Sequence, residues 1–195
     1  MKKLLLIALV FPSSYCFSQN FVQGIMQRLT FGFTGGANYS NFVHTDFKTQ
    51  ALVGYHAGAL VEFKMTKNFS VREEFIFSTQ GAKVQNGLFG QDNIQMNYLS
   101  VPILFKYRTN CGLYLEAGTQ TGMLINDNID KKTIDKFAKR IDLAAAGGLG
   151  YQSRSGFGIG VRYVAGLSKV GDFQPGNINP DFRNSVVQAS IFYIF

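Results

Sequence analysis

The chain is poor in cysteine, proline and charge, and it contains no tryptophan: 2 Cys, 4 Pro and 0 Trp in 195 residues, with 16% charged against 46% hydrophobic. Two cysteines exclude a disulfide-stapled miniprotein, which would need several bridges. The scarcity of charge excludes a disordered acidic or basic tail, whose composition is the reverse. Long apolar runs are also missing. No stretch reaches the ~20 residues that a membrane-spanning helix requires, which removes the helical membrane proteins. The length suits one domain with one core. What is abundant is glycine and aromatic residues, with 21 Gly, 19 Phe and 9 Tyr.

The first segment predicts the compartment. Residues 1–18 read MKKLLLIALVFPSSYCFS: two lysines, an apolar run over residues 4–11, a helix breaker at Pro12, then small residues. This three-part order is that of a secretory signal peptide. Cys16 and Ser18 are the small residues that a signal peptidase inspects, so cleavage is expected after Ser18, leaving residues 19–195 as the mature domain. Cys111 is then the one remaining thiol, and an internal bridge is impossible. The chain carries 19 Lys and Arg against 12 Asp and Glu, a formal +7, which on its own suggests a polyanion. An exported chain meets no cytosolic nucleic acid, and nucleic acid is not an expected partner.

Period-two alternation, the mark of a strand with two unlike faces, recurs in eight segments: 29–40, 52–64, 69–82, 94–107, 113–125, 141–152, 157–170 and 184–195. No segment carries a helical period. The connections alternate. Residues 65–68, 108–112 and 153–156 are short and carry the Asn, Gly and Ser of tight turns, whereas 41–51, 83–93, 126–140 and 171–183 are long and polar. Short at one end and long at the other is the connectivity of an outer-membrane barrel. Strands fill well over half of the mature chain, far above the ~20–25% of ordinary soluble domains, and closing the sheet would leave no unpaired edge in lipid.

One face of these strands is apolar: Phe31, Phe33, Tyr39, Val61, Phe63, Ile103, Phe105, Ile159, Val161, Tyr163, Ile191 and Tyr193 all share it. The other carries Glu62, Lys64, Arg72, Glu74, Lys106, Glu116, Asp142 and Arg162, with Glu73 and Lys169 as the two charges on the apolar face. A soluble sandwich or lipocalin-like barrel would turn the apolar face inward, and a membrane barrel would turn it outward. Three features favour outward. Aromatics gather toward the strand ends, where interfacial girdles belong. The polar face holds many glycines, which suits a crowded lumen. Its charges balance, four of each sign, as a confined interior requires. The predicted fold is therefore all-β: an eight-stranded antiparallel up-and-down transmembrane barrel. Its eight polar-face charges are expected to form an ion-pair network plugging a bore only wide enough for side chains.

Several runs carry a family resemblance. FGFTGGANYSNF at 31–42, FSVREEFIFSTQGAK at 69–83 with Glu74 and Gly81, and YLSVPILFKY at 98–107 with Pro102 and Lys106 resemble the first, third and fourth strands of the PorT-like small outer-membrane β-barrels. LEAGTQTGMLI and VRYVAGLSKV resemble the fifth and seventh. That family is related to the eight-stranded OmpX and OmpA types. The resemblance implies a Gram-negative outer-membrane location and a C-terminal signal, here Tyr193 and Phe195, read by the barrel-assembly machinery. It also implies a role in type IX-like protein secretion or envelope integrity. One departure is Ser100, where the family often has Glu. The partner of Lys106 would then be missing, or would be Glu62, Glu74 or Glu116.

Motifs for chemistry are few. His44, His56 and Cys111 lie in separate elements without the spacing of metal ligands, so neither metal nor cofactor is expected. Ser40, His44 and Asp46 gather near the first long loop, the one grouping that suits a lipid-modifying barrel enzyme. The other alternative, a secreted lipocalin-like carrier of a small apolar ligand, lacks the Gly-x-Trp signature. The third long loop carries Lys131, Lys132, Lys136, Lys139 and Arg140, cations suited to lipopolysaccharide phosphates or a protein partner. The leading expectation is a monomeric, non-enzymatic scaffold in contact with outer-membrane lipid, lipopolysaccharide and an envelope or secretion-system protein. N-terminal sequencing of the exported protein is expected to start at Gln19.

Overall fold

The computed structural model describes residues 24–43, 49–84, 93–127, 141–168 and 182–195. The expected signal peptide, His44, Asp46, Lys169 and the basic cluster of the third long loop lie outside the described residues. A short helical turn at 24–26 leads into eight strands: β1 (Leu29–Val43), β2 (Thr49–Lys64), β3 (Phe69–Val84), β4 (Asn93–Arg108), β5 (Leu113–Asp127), β6 (Ile141–Gln152), β7 (Phe157–Gly166) and β8 (Arg183–Ile194). Each pairs antiparallel with its sequence neighbour, and β8 returns to β1, closing the barrel. The expected segments and these strands agree to within a few residues except at the end of β7, which stops at Gly166. There Ser168 leaves the ladder and its hydroxyl donates to Asp142 Oδ1 at 2.6 Å, so a side chain takes over where strand pairing ends.

The barrel is turned inside out relative to a soluble protein. Phe33 and Phe105 are 65% and 66% exposed, whereas Arg72 and Lys106 are 1% exposed. Alternation dictates this once one face must meet acyl chains, because a single-residue slip would carry every charge to the lipid side. Aromatic pairs such as Phe69 with Tyr107, ring centroids 4.9 Å apart, and Phe33 with Phe195, 5.9 Å apart, lie at the short-turn end, where a girdle meets the interface. Glu73 is the exception within the belt: it is half-buried on the outer phase, level with Val61 on one side and Ile103 on the other. No helix among the described residues is long and apolar enough to cross a membrane; the crossing elements are strands.

Pro102 is an unusual resident of a fully paired strand, since it has no N–H to donate. The β3–β4 register runs from Glu73↔Ile103 to Ile76↔Ser100 with no pair between, so the ladder lapses at the proline, while the other edge of β4 keeps Pro102↔Gln120. Glycine serves a different purpose on β7. A Cβ at Gly158 would strike the Phe192 ring, and one at Gly160 the Tyr114 hydroxyl, so these two positions clear the lumen for inward aromatic rings.

The lipid-facing assignment has a measurable consequence. Ile103 lies five residues from the short-turn end of β4. At about 3.3 Å per residue and a tilt of about 40°, that is roughly half way through an apolar band of about 25 Å. Ile103→Arg is expected to cost about 2–4 kcal/mol in urea titrations in phospholipid vesicles, with Asn110→Arg on an exposed turn close to neutral.

Candidate functional site

The inner face of the short-turn half carries the densest chemistry. Glu62 on β2, Arg72 and Glu74 on β3, Lys106 on β4, Glu116 on β5 and Arg162 on β7 all point to the axis, each because it falls on the inward phase of its strand, and all are buried. Arg162 grips Glu74 with both terminal nitrogens, Nη1 to Oε2 and Nη2 to Oε1, each at 2.8 Å. Its Nε donates to Glu116 Oε1, also at 2.8 Å. Arg72 donates from Nε and Nη2 to Glu62 Oε2 at 3.2 and 2.9 Å, with Nη1 3.6 Å from Glu116 Oε2 and 3.9 Å from Glu74 Oε1. Lys106 Nζ donates to the same Glu62 oxygen at 3.0 Å and to Gln152 Oε1 at 2.6 Å. Ser70 Oγ completes Glu62 by donating to Oε1 at 2.9 Å.

An aromatic floor supports these charges. Leu60, Tyr114, Phe192 and Ile194 form one buried cluster. The Arg72 guanidinium lies 4.3 Å from the Phe192 ring centroid, and Lys106 Nζ lies 4.7 Å from that of Tyr114. Each cation thus meets a carboxylate on one side and the negative face of a ring on the other, a contact worth roughly 0.5–2 kcal/mol where water is excluded. Among Arg72, Glu74, Tyr114, Glu116 and Arg162 the remaining void is only about 10 Å³, the space of about one water. The bore is filled by side chains at this level.

Two of the eight expected network members stand apart, a correction to the four-against-four arrangement. Lys64 is the last residue of β2, exposed at the rim, and makes no ion pair among the described residues. Asp142, second in β6, is half-buried near the opposite end, accepting from Ser168 Oγ at 2.6 Å and from Asn184 Nδ2 at 2.9 Å. The central cluster is three cations against three carboxylates and remains neutral. Ser100, at the position where the resembled family often has Glu, is buried with Oγ unbonded; Lys106 turns to Glu62 instead.

Above the ion pairs the described inward side chains are mainly amides, hydroxyls and the His56 ring, with Asp142 near the far end. His56 Nδ1 lies 2.7 Å from Asn38 Oδ1 and its Nε2 2.9 Å from Ser190 Oγ. Asn38 Nδ2 also donates to Ser78 Oγ at 3.0 Å and Thr79 O at 2.9 Å. Sequence reasoning did not join Asn38, His56 and Gln188; the adjacency of β1, β2 and β8 does so. It also missed Tyr114 and Phe192, for which the available signal was two aromatics on the inward phase opposite glycines of the next strands.

The remaining candidates fall elsewhere. Ser40 Oγ is buried and bonded to the β3 backbone, donating to Gly81 O and accepting from Gly81 N, both at 2.9 Å, so this hydroxyl belongs to the barrel wall. Cys111 is exposed in the β4–β5 turn, where the Thr109 hydroxyl 3.0 Å away holds the thiol below its ordinary pKa. Tyr193 and Phe195 face outward at the end of β8. The apolar concavity expected inside a lipocalin-like carrier lies outside this barrel, a groove of about 850 Å³ between outward residues such as Phe33, Leu149 and Ile191. No group of three or more metal-ligating side chains occurs among the described residues.

Comparison with known proteins agrees with this architecture. The family model described as "Outer membrane protein beta-barrel domain" matches residues 17–172. Neisserial surface protein A superposes with a TM-score of 0.55 at 13% identity, covering 85% of this chain and 97% of that one. Ail, the attachment invasion locus protein of Yersinia pestis, gives 0.52 at 14%, covering 85% and 98%. OprG from Pseudomonas aeruginosa gives 0.50 at 13%, covering 85% and 95%. No curated protein matches the sequence.

Removing one partner of the plug strands the others. Arg162→Met leaves Glu74 without its bidentate donor and is expected to cost about 3–5 kcal/mol. The double variant with Glu74→Leu is expected to recover part of that loss, and equilibrium unfolding of the folded barrel in detergent checks both.

Proposed function

The chain belongs to the outer membrane protein β-barrel domain family, and on that footing we propose that it acts as a non-conducting, non-enzymatic scaffold, an anchor whose loops and turns engage other envelope components. The single observation that carries this reading is the neutral plug of Arg72, Lys106 and Arg162 with Glu62, Glu74 and Glu116, which fills the bore with bonded side chains. A permeation path would need charges that bind weakly and release; here the Arg162 donors are committed to carboxylates. An eight-stranded barrel has no spare width for a second route.

With transport closed off at the centre, the surfaces left for function are the two ends. At the long-loop end, Lys131, Lys132, Lys136, Lys139 and Arg140 supply cations suited to lipopolysaccharide phosphates. At the short-turn end, an envelope or secretion-system protein is the proposed partner, with Tyr193 and Phe195 read during insertion by the assembly machinery. The PorT-like resemblance adds protein secretion of the type IX kind as the process served. The cleaved signal peptide over residues 1–18 is part of the same reading.

Planar-bilayer recording tests the scaffold reading. The purified barrel is expected to give no stable conductance steps, and reproducible single-channel openings from the folded, heat-modifiable protein would overturn it.

A further inference from the structure

The short-turn end of the barrel opens into a polar cavity of about 300 Å³. Four cations line it: Lys64 at the end of β2, Lys67 in the β2–β3 turn, Arg108 at the end of β4 and Arg154 in the β6–β7 turn. None of the four makes an ion pair among the described residues. Glu62 is the one carboxylate side chain in the lining, and both of its oxygens are already taken by Ser70, Arg72 and Lys106. A fifth cation, Arg28, is tied to this edge through its carbonyl, which accepts from Lys64 N at 2.9 Å. Among the described residues this end carries a surplus of cationic side chains with no carboxylate side chain left to pair with them.

The rim is also held in shape. Thr66 Oγ1 accepts from Asn68 N and Phe69 N at 3.3 and 3.0 Å, and Asn68 Nδ2 donates to Arg108 O at 2.7 Å, locking the first turn to the end of β4. Thr109 Oγ1 donates to Leu113 O at 2.9 Å in the second turn. The cations therefore project from fixed bases, which lowers the ordering cost of binding an anion.

We propose that this mouth is a docking site for an acidic segment of a periplasmic protein, whose carboxylates enter the cavity between Lys64, Lys67, Arg108 and Arg154. Its volume sits at the lower end of the roughly 300–1,000 Å³ of small-ligand sites, room for a carboxylate side chain or two. A water-borne ligand fits better than a phospholipid. The lining comes from strands on all sides of the barrel, including Thr30, Ser70, Gln152 and Ile194, so the cavity opens on the axis. Inner-leaflet headgroups are tethered outside the wall by their chains. The proposal deepens the scaffold reading and rests on it, naming the chemistry of the partner.

The test uses the full barrel in phosphatidylcholine nanodiscs and a fluorescein-labelled hexaglutamate peptide read by anisotropy. Binding is expected to weaken with added salt, as exposed charge pairs screen over about 10 Å at 0.1 M. It is expected to fall by about tenfold or more in the Lys67→Glu/Arg154→Glu variant, since each 1.4 kcal/mol is a factor of ten. Both side chains are exposed and outside the plug, and retained heat-modifiable mobility verifies folding. Lys67→Gln/Arg154→Gln is expected to lie between parent and reversal. Unchanged affinity in both variants overturns the proposal, because the peptide would then be held by the long-loop end. Inorganic phosphate displacing the peptide at matched ionic strength, or phosphatidylglycerol in the disc abolishing its binding, overturns it in favour of a small anion or a lipid. Conductance through the barrel would sink the scaffold reading while leaving peptide affinity unaffected, so the two failures are distinguishable.

Discussion

The structure depends on one constraint: a closed eight-stranded wall in lipid has only its axis on which to put charge. A carboxylate or ammonium facing acyl chains is costly, and the bore admits side chains and almost no water. The charges that strand alternation sends inward must therefore satisfy one another. Glu62 meets both Arg72 and Lys106, and Arg162 bridges Glu74 and Glu116, giving one connected and neutral body. Desolvation makes such a body a weak source of net stability and a strong source of specificity, because any loss of balance leaves a buried charge unpaired. The aromatic floor fits the same logic, with Tyr114 and Phe192 offering ring faces to cations in a space too small for hydration.

This much was legible in the sequence because alternation reports the direction of a side chain. Phe33, Val61 and Ile103 are outward and Glu74 and Arg162 inward, as period two requires. Alternation does not report depth. Lys64 and Asp142 share the inward phase with the plug, yet one ends its strand and the other nearly begins its own, so they occupy opposite mouths. Depth follows from strand ends and from the register between strands, which a single sequence leaves open. The end of β7 was missed for a related reason. Leu167 continues the alternation, but Ser168 bonds Asp142, and that competition between side chain and ladder is invisible to periodicity. Tyr114 and Phe192 were passed over because an inward aromatic breaks the polar pattern; the glycines facing them were the clue.

The two halves of the lumen solve polarity differently. The short-turn half uses ions with committed partners. The other half uses hydroxyls and amides, with His56 joined to Asn38 and Ser190. There Ser100 Oγ, Gln120 Oε1, Gln188 Oε1 and Asn184 Oδ1 have no protein partner. A neutral acceptor left unpaired costs less than an ion in the same position, so orphaned atoms are tolerated in the amide half and scarce among the ions. Ser100 illustrates the trade. A fourth carboxylate in the plug, near Lys106, would need another cation to keep it neutral, whereas a hydroxyl asks for nothing comparable.

Location of charge, rather than its total, is what carries meaning in this chain. The formal +7 suggests a diffuse basic surface, yet the plug is neutral and the outer belt holds Glu73 as a half-buried exception. Among the described residues the excess sits at the short-turn rim, on Arg28, Lys64, Lys67, Arg108 and Arg154, with no free carboxylate side chain beside them. Lipid excludes charge from the wall, and the confined axis requires it in balanced pairs. The water-facing ends are the places where a surplus of one sign persists without penalty, and so the places where it can act on something else.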